Sequence, residues 1–116
     1  MVPSTERFTL FFHGSCKPNP GPAGIGYTIV DRESNEVEYG SKYIGENTNN
    51  ETEYKALIEG LKVAKKLKIH DLVVYGDSQL IINQTDPHMM TNWKIKQTHL
   101  IALNNEARDL IDGFKK

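Results

Sequence analysis

Three residues pair acid–base or ligating chemistry with places where the chain changes character, namely His13, Glu53 and Asp77. His13 follows an apolar run, Glu53 lies just inside the start of a helical pattern, and Asp77 closes a second apolar run before another helix begins. A carboxylate that ends a buried parallel strand, with a helix following at once, is a common site position in open α/β sheets. Two carboxylates held rigidly offer oxygen donors to a hard cation such as Mg²⁺, which keeps several waters of its own. Each acid also has a purely structural alternative. Asp77 suits the cap of a helix starting near Ser78, and Glu53 complements the dipole of its own helix. Taken singly, periodicity favours those structural roles.

The elements that would position these residues follow from hydrophobic period. Residues 8–12 form a continuous, largely apolar run, as expected of a strand buried on both faces, which stops at His13-Gly14-Ser15. Lys17-Pro18-Asn19-Pro20-Gly21-Pro22 then breaks regular structure. Ile25, Tyr27 and Ile29 alternate in a second strand, Ser34-Asn35 is a turn, and Val37, Tyr39, Ser41 and Tyr43 alternate in a third. Three strands with short polar connections predict an antiparallel meander. At Thr48-Asn49-Asn50 the period changes to helical. Asn is a good N-cap, Glu51 and Glu53 are acids at the N-terminal end, and the lysines from Lys62 to Lys68 sit late. A helix over 51–67 with Leu57, Leu61 and Ala64 facing the sheet is therefore expected. Residues 72–75 read as a fourth strand, Leu80, Ile81 and Ile82 open a short helix, and Leu100, Leu103, Ala107, Leu110, Ile111 and Phe114 form the apolar stripe of a last one. The helix between the third and fourth strands acts as a crossover, so the fourth strand should run parallel to the first and beside it. The fold class is α/β, a mixed sheet with helices packed on it.

Composition narrows the function classes. A chain of 116 residues fits one domain, and its hydrophobic (38%) and charged (25%) fractions are ordinary for a soluble globular protein. A formal net charge of −1 gives no global electrostatic drive toward nucleic acid, so such a role needs a local patch or bound cations. Cys16 is the only cysteine, which excludes an intrachain disulfide and a multi-cysteine zinc site and points to a reducing, intracellular (cytoplasmic) compartment. No signal peptide is recognisable at the start, and no run is long enough to span a bilayer.

Several motifs then carry a resemblance. Phe12-His13-Gly14-Ser15-Cys16, followed by Asn19-Pro20-Gly21-Pro22-Ala23-Gly24, resembles the first strand and glycine-rich turn of type 1 ribonuclease H. Thr48-Asn49-Asn50-Glu51-Thr52-Glu53-Tyr54 is similar to that family's helix-opening motif, and Asp77-Ser78-Gln79 to its fourth-strand end. The motifs stand in the family's order with family-like gaps, from about Phe8 to the end of the chain. The resemblance implies a ribonuclease-H-like fold that cleaves the RNA strand of RNA–DNA hybrids with two metal ions, Mg²⁺ or Mn²⁺, held by four carboxylates. Glu53 and Asp77 match two of those ligands. Asn19, Asn49, Asn50 and Gln79 match residues that contact the hybrid, and Cys16 falls in the same turn as Asn19, where a small semi-buried filler is the structural reading. Neutral amides suit recognition of the sugar 2′-hydroxyl that distinguishes RNA from DNA.

Two departures qualify what the resemblance implies. His13 stands where the family has its central aspartate, and an imidazole offers one nitrogen where a carboxylate offers two oxygens and a charge, so it suits transition metals better than Mg²⁺. A neutral histidine satisfied by local hydrogen bonds, with no metal, is the structural alternative. The family continues past its counterpart of 100–114 with a fifth strand and a helix bearing the fourth carboxylate, whereas this sequence ends at Lys115-Lys116. The expectation is a C-terminally short domain without the fifth strand, weak cation binding and weak or lost cleavage. An open edge at 72–75 would invite a homodimer or partner chain. The alternative is an inactive nucleic-acid-binding or protein-interaction domain. Trp93-Lys94-Ile95-Lys96 is a weak candidate for contact with a DNA strand, with a core-covering tryptophan as its structural counterpart, and His70, His88 and His99 have no partners at ligand spacing.

Overall fold

A computed structural model of the chain describes residues 6–77, 79–85 and 98–114. Among them run β1 (Arg7–Cys16), β2 (Gly21–Val30), β3 (Glu36–Asn47), α1 (Asn49–Lys66), β4 (Asp71–Gly76), α2 (Gln79–Thr85) and α3 (Thr98–Asp112). The strands form a four-stranded sheet in the order β3-β2-β1-β4. β1, β2 and β3 pair antiparallel as a meander, and β4 joins β1 in parallel, with Arg7 opposite Asp71 and Phe12 opposite Gly76. This is the expected architecture.

The meander is built on a turn that closes on itself. The Asp31 carboxylate accepts the backbone N–H of Glu33 and of Asn35, each at 2.9 Å. The Asp31 N–H donates to the Asn35 carbonyl and the Ser34 N–H to the Asp31 carbonyl, again at 2.9 Å. The bonds that the carboxylate accepts, that from the Asn35 backbone first, hold the Asp31 carboxyl below its ordinary range.

β1 is longer than its apolar run suggests. It continues through His13, Gly14 and Ser15 to Cys16, because these residues stay in register with Gly26, Ile25, Gly24 and Ala23 of β2. Backbone pairing rather than side-chain apolarity sets where the strand ends. Nor is β1 buried on both faces. Leu10, Phe12, Gly14 and Cys16 are buried while Phe11, His13 and Ser15 are exposed, so one face is covered and the other is open among the described residues. On the open face the Phe11 and Tyr75 rings stack, centroids 5.5 Å apart.

α1 lies on the covered face. Its N-cap is Thr48 rather than an asparagine: the Thr48 hydroxyl accepts the Glu51 N–H at 3.1 Å, and the Glu51 carboxylate accepts the Thr48 N–H at 2.7 Å. This reciprocal box satisfies two donors that would otherwise lack partners and fixes the helix start one turn ahead of the first core residue. Leu57, Leu61 and Ala64 are buried, as expected, against Leu10 and Ile29 of the sheet and the rest of one core. Gly60 lets the helix approach closely, since a Cβ there would come within 2.6 Å of Leu10 Cδ1. α3 packs on α1 rather than on the sheet, burying Leu100 and Ala107, and Lys62 pairs with Glu106 at 3.3 Å across that seam.

Candidate nucleic-acid and cation site at the strand ends

The parallel pairing of β1 and β4 brings together residues far apart in sequence. His13 lies one residue beyond Phe12, and Asp77 one beyond its partner Gly76. The His13 imidazole Nδ1 is 3.6 Å from the Asp77 carboxylate Oδ2, with both side chains largely exposed. Gly76 makes room for this strand end, because a Cβ on it would fall 2.2 Å from the Phe12 ring.

Glu53 lies near the start of α1. Its neighbour Thr52 is fully buried and lies directly over Gly14, where an added Cβ would meet the Thr52 carbonyl oxygen at 2.8 Å. The first turn of α1 is thereby seated on the residue after His13. One Glu53 carboxylate oxygen is shielded from solvent.

A second cluster joins the glycine-rich turn to the same helix start. The Cys16 thiol donates to the Asn49 side-chain oxygen at 3.0 Å and lies 3.8 Å from that of Asn19. The Asn49 backbone N–H donates to the Asn19 side-chain oxygen at 3.0 Å. Cys16 is buried, in line with its reading as a small filler, but it also holds Asn49. Asn50, half-buried, is the next residue of α1. Gln79 is the first residue of α2, and its side chain lies outside the described residues, as do Ser78, His88, Trp93-Lys94-Ile95-Lys96, the His99 side chain and Lys115-Lys116.

A polar cluster that the sequence reading missed sits behind this region. Tyr54, next to Glu53, is fully buried; its hydroxyl donates to the Gln84 side-chain oxygen and accepts from Asn104 Nδ2 at 3.0 Å. Asn104 and Arg108 both donate to the Gln84 carbonyl, Asn104 at 3.2 Å and the guanidinium at 3.0 and 2.7 Å. Burial pushes the Tyr54 phenol up, opposed by the Asn104 hydrogen bond and the Arg108 charge. The signal was present in the helical period, since Asn104 falls at i+4 from Leu100 on the buried stripe of α3.

The donor set does not fit a resident two-ion centre. Among the described residues no three His, Cys, Asp or Glu side chains are placed to share one cation. Two carboxylates and one imidazole also fall short of the oxygen-rich shell that Mg²⁺ prefers. No helix among the described residues is long and apolar enough to cross a membrane.

Sheet order, the crossover helix α1 between β3 and β4 and the parallel β1–β4 pairing together define a ribonuclease-H-like α/β domain. A family model described as Reverse transcriptase-like matches residues 11–116. Ribonuclease HI of Halobacterium salinarum is 35% identical over 108 residues, covering 93% of this chain and 52% of that protein. The crystal structure of RNase H1 from the same archaeon superposes with a TM-score of 0.85 at 35% identity, covering 93% of this chain and 79% of that one. LC11-RNase H1, solved in complex with RNA/DNA hybrid, gives a TM-score of 0.80 at 34% identity, covering 89% and 75%. The chain belongs to the type 1 ribonuclease H family. It spans about half (52%) of the length of the Halobacterium relative.

Proposed function

We propose that this chain binds RNA–DNA hybrid through the amide-rich start of α1 and the glycine-rich turn, with two-metal phosphodiester hydrolysis weak or lost. The contact between His13 and Asp77 carries this reading. An imidazole fills the place of the family's central aspartate and approaches the Asp77 carboxylate at 3.6 Å. A group with a single lone pair cannot bridge two ions, so Mg²⁺ or Mn²⁺ binding is expected to be weak. Asn19 and Asn49, joined to Cys16 and to each other, and Asn50 next in α1 supply neutral donors and acceptors suited to sugar and minor-groove atoms. Hybrid bound to LC11-RNase H1 supports the same substrate class for a family member.

Cleavage of a labelled hybrid in Mg²⁺ and in Mn²⁺, for this chain and for His13→Asp, tests the proposal alongside hybrid affinity without metal. Binding by both proteins, with faster cleavage by His13→Asp, is the expected result. Vigorous Mg²⁺-dependent cleavage by the unaltered chain would overturn the loss of activity, and failure to bind hybrid would overturn the substrate.

A second reading, a protein-interaction or homodimerising domain, draws on a separate observation. β4 lies at the sheet edge, and Tyr75 on it is exposed beside Phe11. An unpaired edge with exposed aromatic side chains favours pairing with a second copy. Light scattering over a dilution series is expected to show a concentration-dependent dimer, and a monomer at every concentration would remove this reading.

A further inference from the structure

We infer that Asn47 and Lys55 act as positioning residues that hold the glycine-rich turn and the start of α1 at one spacing, and so set how well Asn19, Asn49 and Asn50 grip an RNA-containing duplex. The inference rests on the reading that hybrid is bound by those amides.

The two arms of the grip leave from one rung of the sheet. Gly21 and Asn47 pair with each other at the start of β2 and the end of β3. Asn19 lies two residues before that rung and Asn49 two residues after it. The turn arm folds back tightly: the Lys17 N–H donates to the Pro22 carbonyl at 3.3 Å, and a Cβ on Gly21 would fall 2.4 Å from the Pro18 carbonyl oxygen. The arms then meet, with the Asn49 N–H on the Asn19 side-chain oxygen at 3.0 Å. A small rotation at Asn47 changes the distance which that bond must span.

Asn47 is held against such a rotation from two directions, and it is 5% exposed. Just ahead of it β3 carries a bulge, since Ala23 pairs with Gly45 and Gly24 with Tyr43, which leaves Ile44 as the extra residue. Asn47 Nδ2 donates to the Ile44 carbonyl at 3.1 Å and lies 3.5 Å from that of Gly45. The Asn47 side-chain oxygen accepts from Lys55 Nζ at 2.7 Å. Lys55 stands in the second turn of α1, half-buried. One buried amide therefore joins the bulge, the end of the β2–β3 ladder and the helix.

The cost of this contact argues for a geometric role. A lysine held at a neutral amide gives up rotamer freedom and part of its strong hydration. What it supplies is a short, directional bond from a charged donor. Without it the Asn47 oxygen loses a donor in a buried place, and the side chain gains reason to turn.

The consequence falls on sugar recognition more than on phosphate attraction. Hydrogen bonds to a 2′-hydroxyl weaken steeply with misplacement, whereas attraction between charges falls off slowly with distance. Loosening the brace therefore lowers affinity for hybrid more than affinity for a DNA duplex.

The test measures affinities for a short RNA–DNA hybrid and for the matching DNA duplex, in chelator over a salt series. It compares the unaltered chain with Lys55→Met, Lys55→Arg and Asn47→Ala, and Asn49→Ala serves as the control for the grip. The backbone amide resonance of Asn49 in the free proteins reports its bond to Asn19. We expect Lys55→Met and Asn47→Ala to lower the hybrid-to-DNA affinity ratio by about fivefold, the scale of one hydrogen bond, and to move the Asn49 resonance. The salt slope should stay as it is, and Lys55→Arg, which keeps a charged donor, should retain most of the ratio. Lys55→Met preserves the apolar stem at a half-buried position, so the test stays decisive if Asn47→Ala does not fold. A salt slope lowered by about one phosphate contact in Lys55→Met would make Lys55 a direct phosphate contact and overturn the positioning role. A merely structural pair would lower the melting temperature and leave the ratio unmoved well below it. If Asn49→Ala lowers a ratio that folded Lys55→Met preserves, this inference alone is overturned. If the unaltered chain has no hybrid preference, the substrate reading falls and this inference with it.

Discussion

His13 and Asp77 face each other just past Phe12 and Gly76, the last pair of the parallel β1–β4 ladder, imidazole Nδ1 to carboxylate Oδ2 at 3.6 Å. That separation lies within ion-pair reach and beyond a well-formed N–H···O hydrogen bond. The two side chains are 66% and 85% exposed, so water and salt screen whatever charge they carry. Exposed pairs of this kind are worth about 0–1 kcal/mol. Urea denaturation of Asp77→Asn should therefore change the unfolding free energy by less than about 1 kcal/mol. A larger loss would mean that Asp77 holds the strand end together.

Gly14 should be far less tolerant. A Cβ there would press on the Thr52 carbonyl oxygen at 2.8 Å, and that atom belongs to helix backbone with no rotamer to change. Gly14→Ala is expected to destabilise by about 1–3 kcal/mol, as overpacking does. It should also shift the first turn of α1 away from β1, seen as amide chemical-shift changes concentrated around residues 49–53. Gly14→Ala with native stability and spectra would show that α1 is not seated on this glycine.

Leu57 lies at the centre of the helix face against the sheet and is 1% exposed. Its truncation removes buried methyl groups and leaves a cavity that the rigid sheet cannot close. Leu57→Ala should cost about 2–5 kcal/mol in denaturant unfolding. A cost below about 1 kcal/mol would place this side chain outside the core.

Alkali should weaken the fold through Tyr54. Its phenol is raised from the ordinary 10.0 by burial. The folded chain therefore holds that proton more tightly than the unfolded one. This contribution is complete below the unfolded value and is lost as pH rises toward the folded value. As pH rises above 10.0 the denaturation midpoint should fall more steeply for the unaltered chain than for Tyr54→Phe, which has no proton to lose. Parallel slopes in the two proteins would exclude Tyr54 as a source of alkaline sensitivity.

What the sequence disclosed depended on how local the cause was. The alternation of Ile25, Tyr27 and Ile29 and the spacing of Leu57, Leu61 and Ala64 record burial directly, and the meander, α1 and the parallel β1–β4 pairing follow from them. The extension of β1 to Cys16 was hidden because it depends on the register with Gly24 and Gly26 of another strand. One-sided burial of β1 was hidden for a similar reason, since an apolar Phe11 reads as core whether or not anything covers it. Asp77 was legible as the residue that closes a strand, whereas His13 lies inside β1, and the parallel pairing of β1 with β4 brings the two together. The Tyr54–Gln84–Asn104 cluster joins three helices, and no window along the chain contains it.

The self-closing turn at Asp31 has a consequence on the ribosome. The hydrogen bonds that close it span only residues 31–35. The β2–β3 hairpin can therefore form as soon as it leaves the exit tunnel, and β1 can join it from the preceding residues. The other side of β1 must wait for β4, since Arg7 and its partner Asp71 are 64 residues apart. At about 5–20 residues per second that interval lasts roughly 3–13 s. Throughout it the hydrogen-bonding edge of β1, carrying Phe8, Leu10 and Phe12, stands open to other nascent chains. Slower translation would lengthen the period in which this strand can pair wrongly.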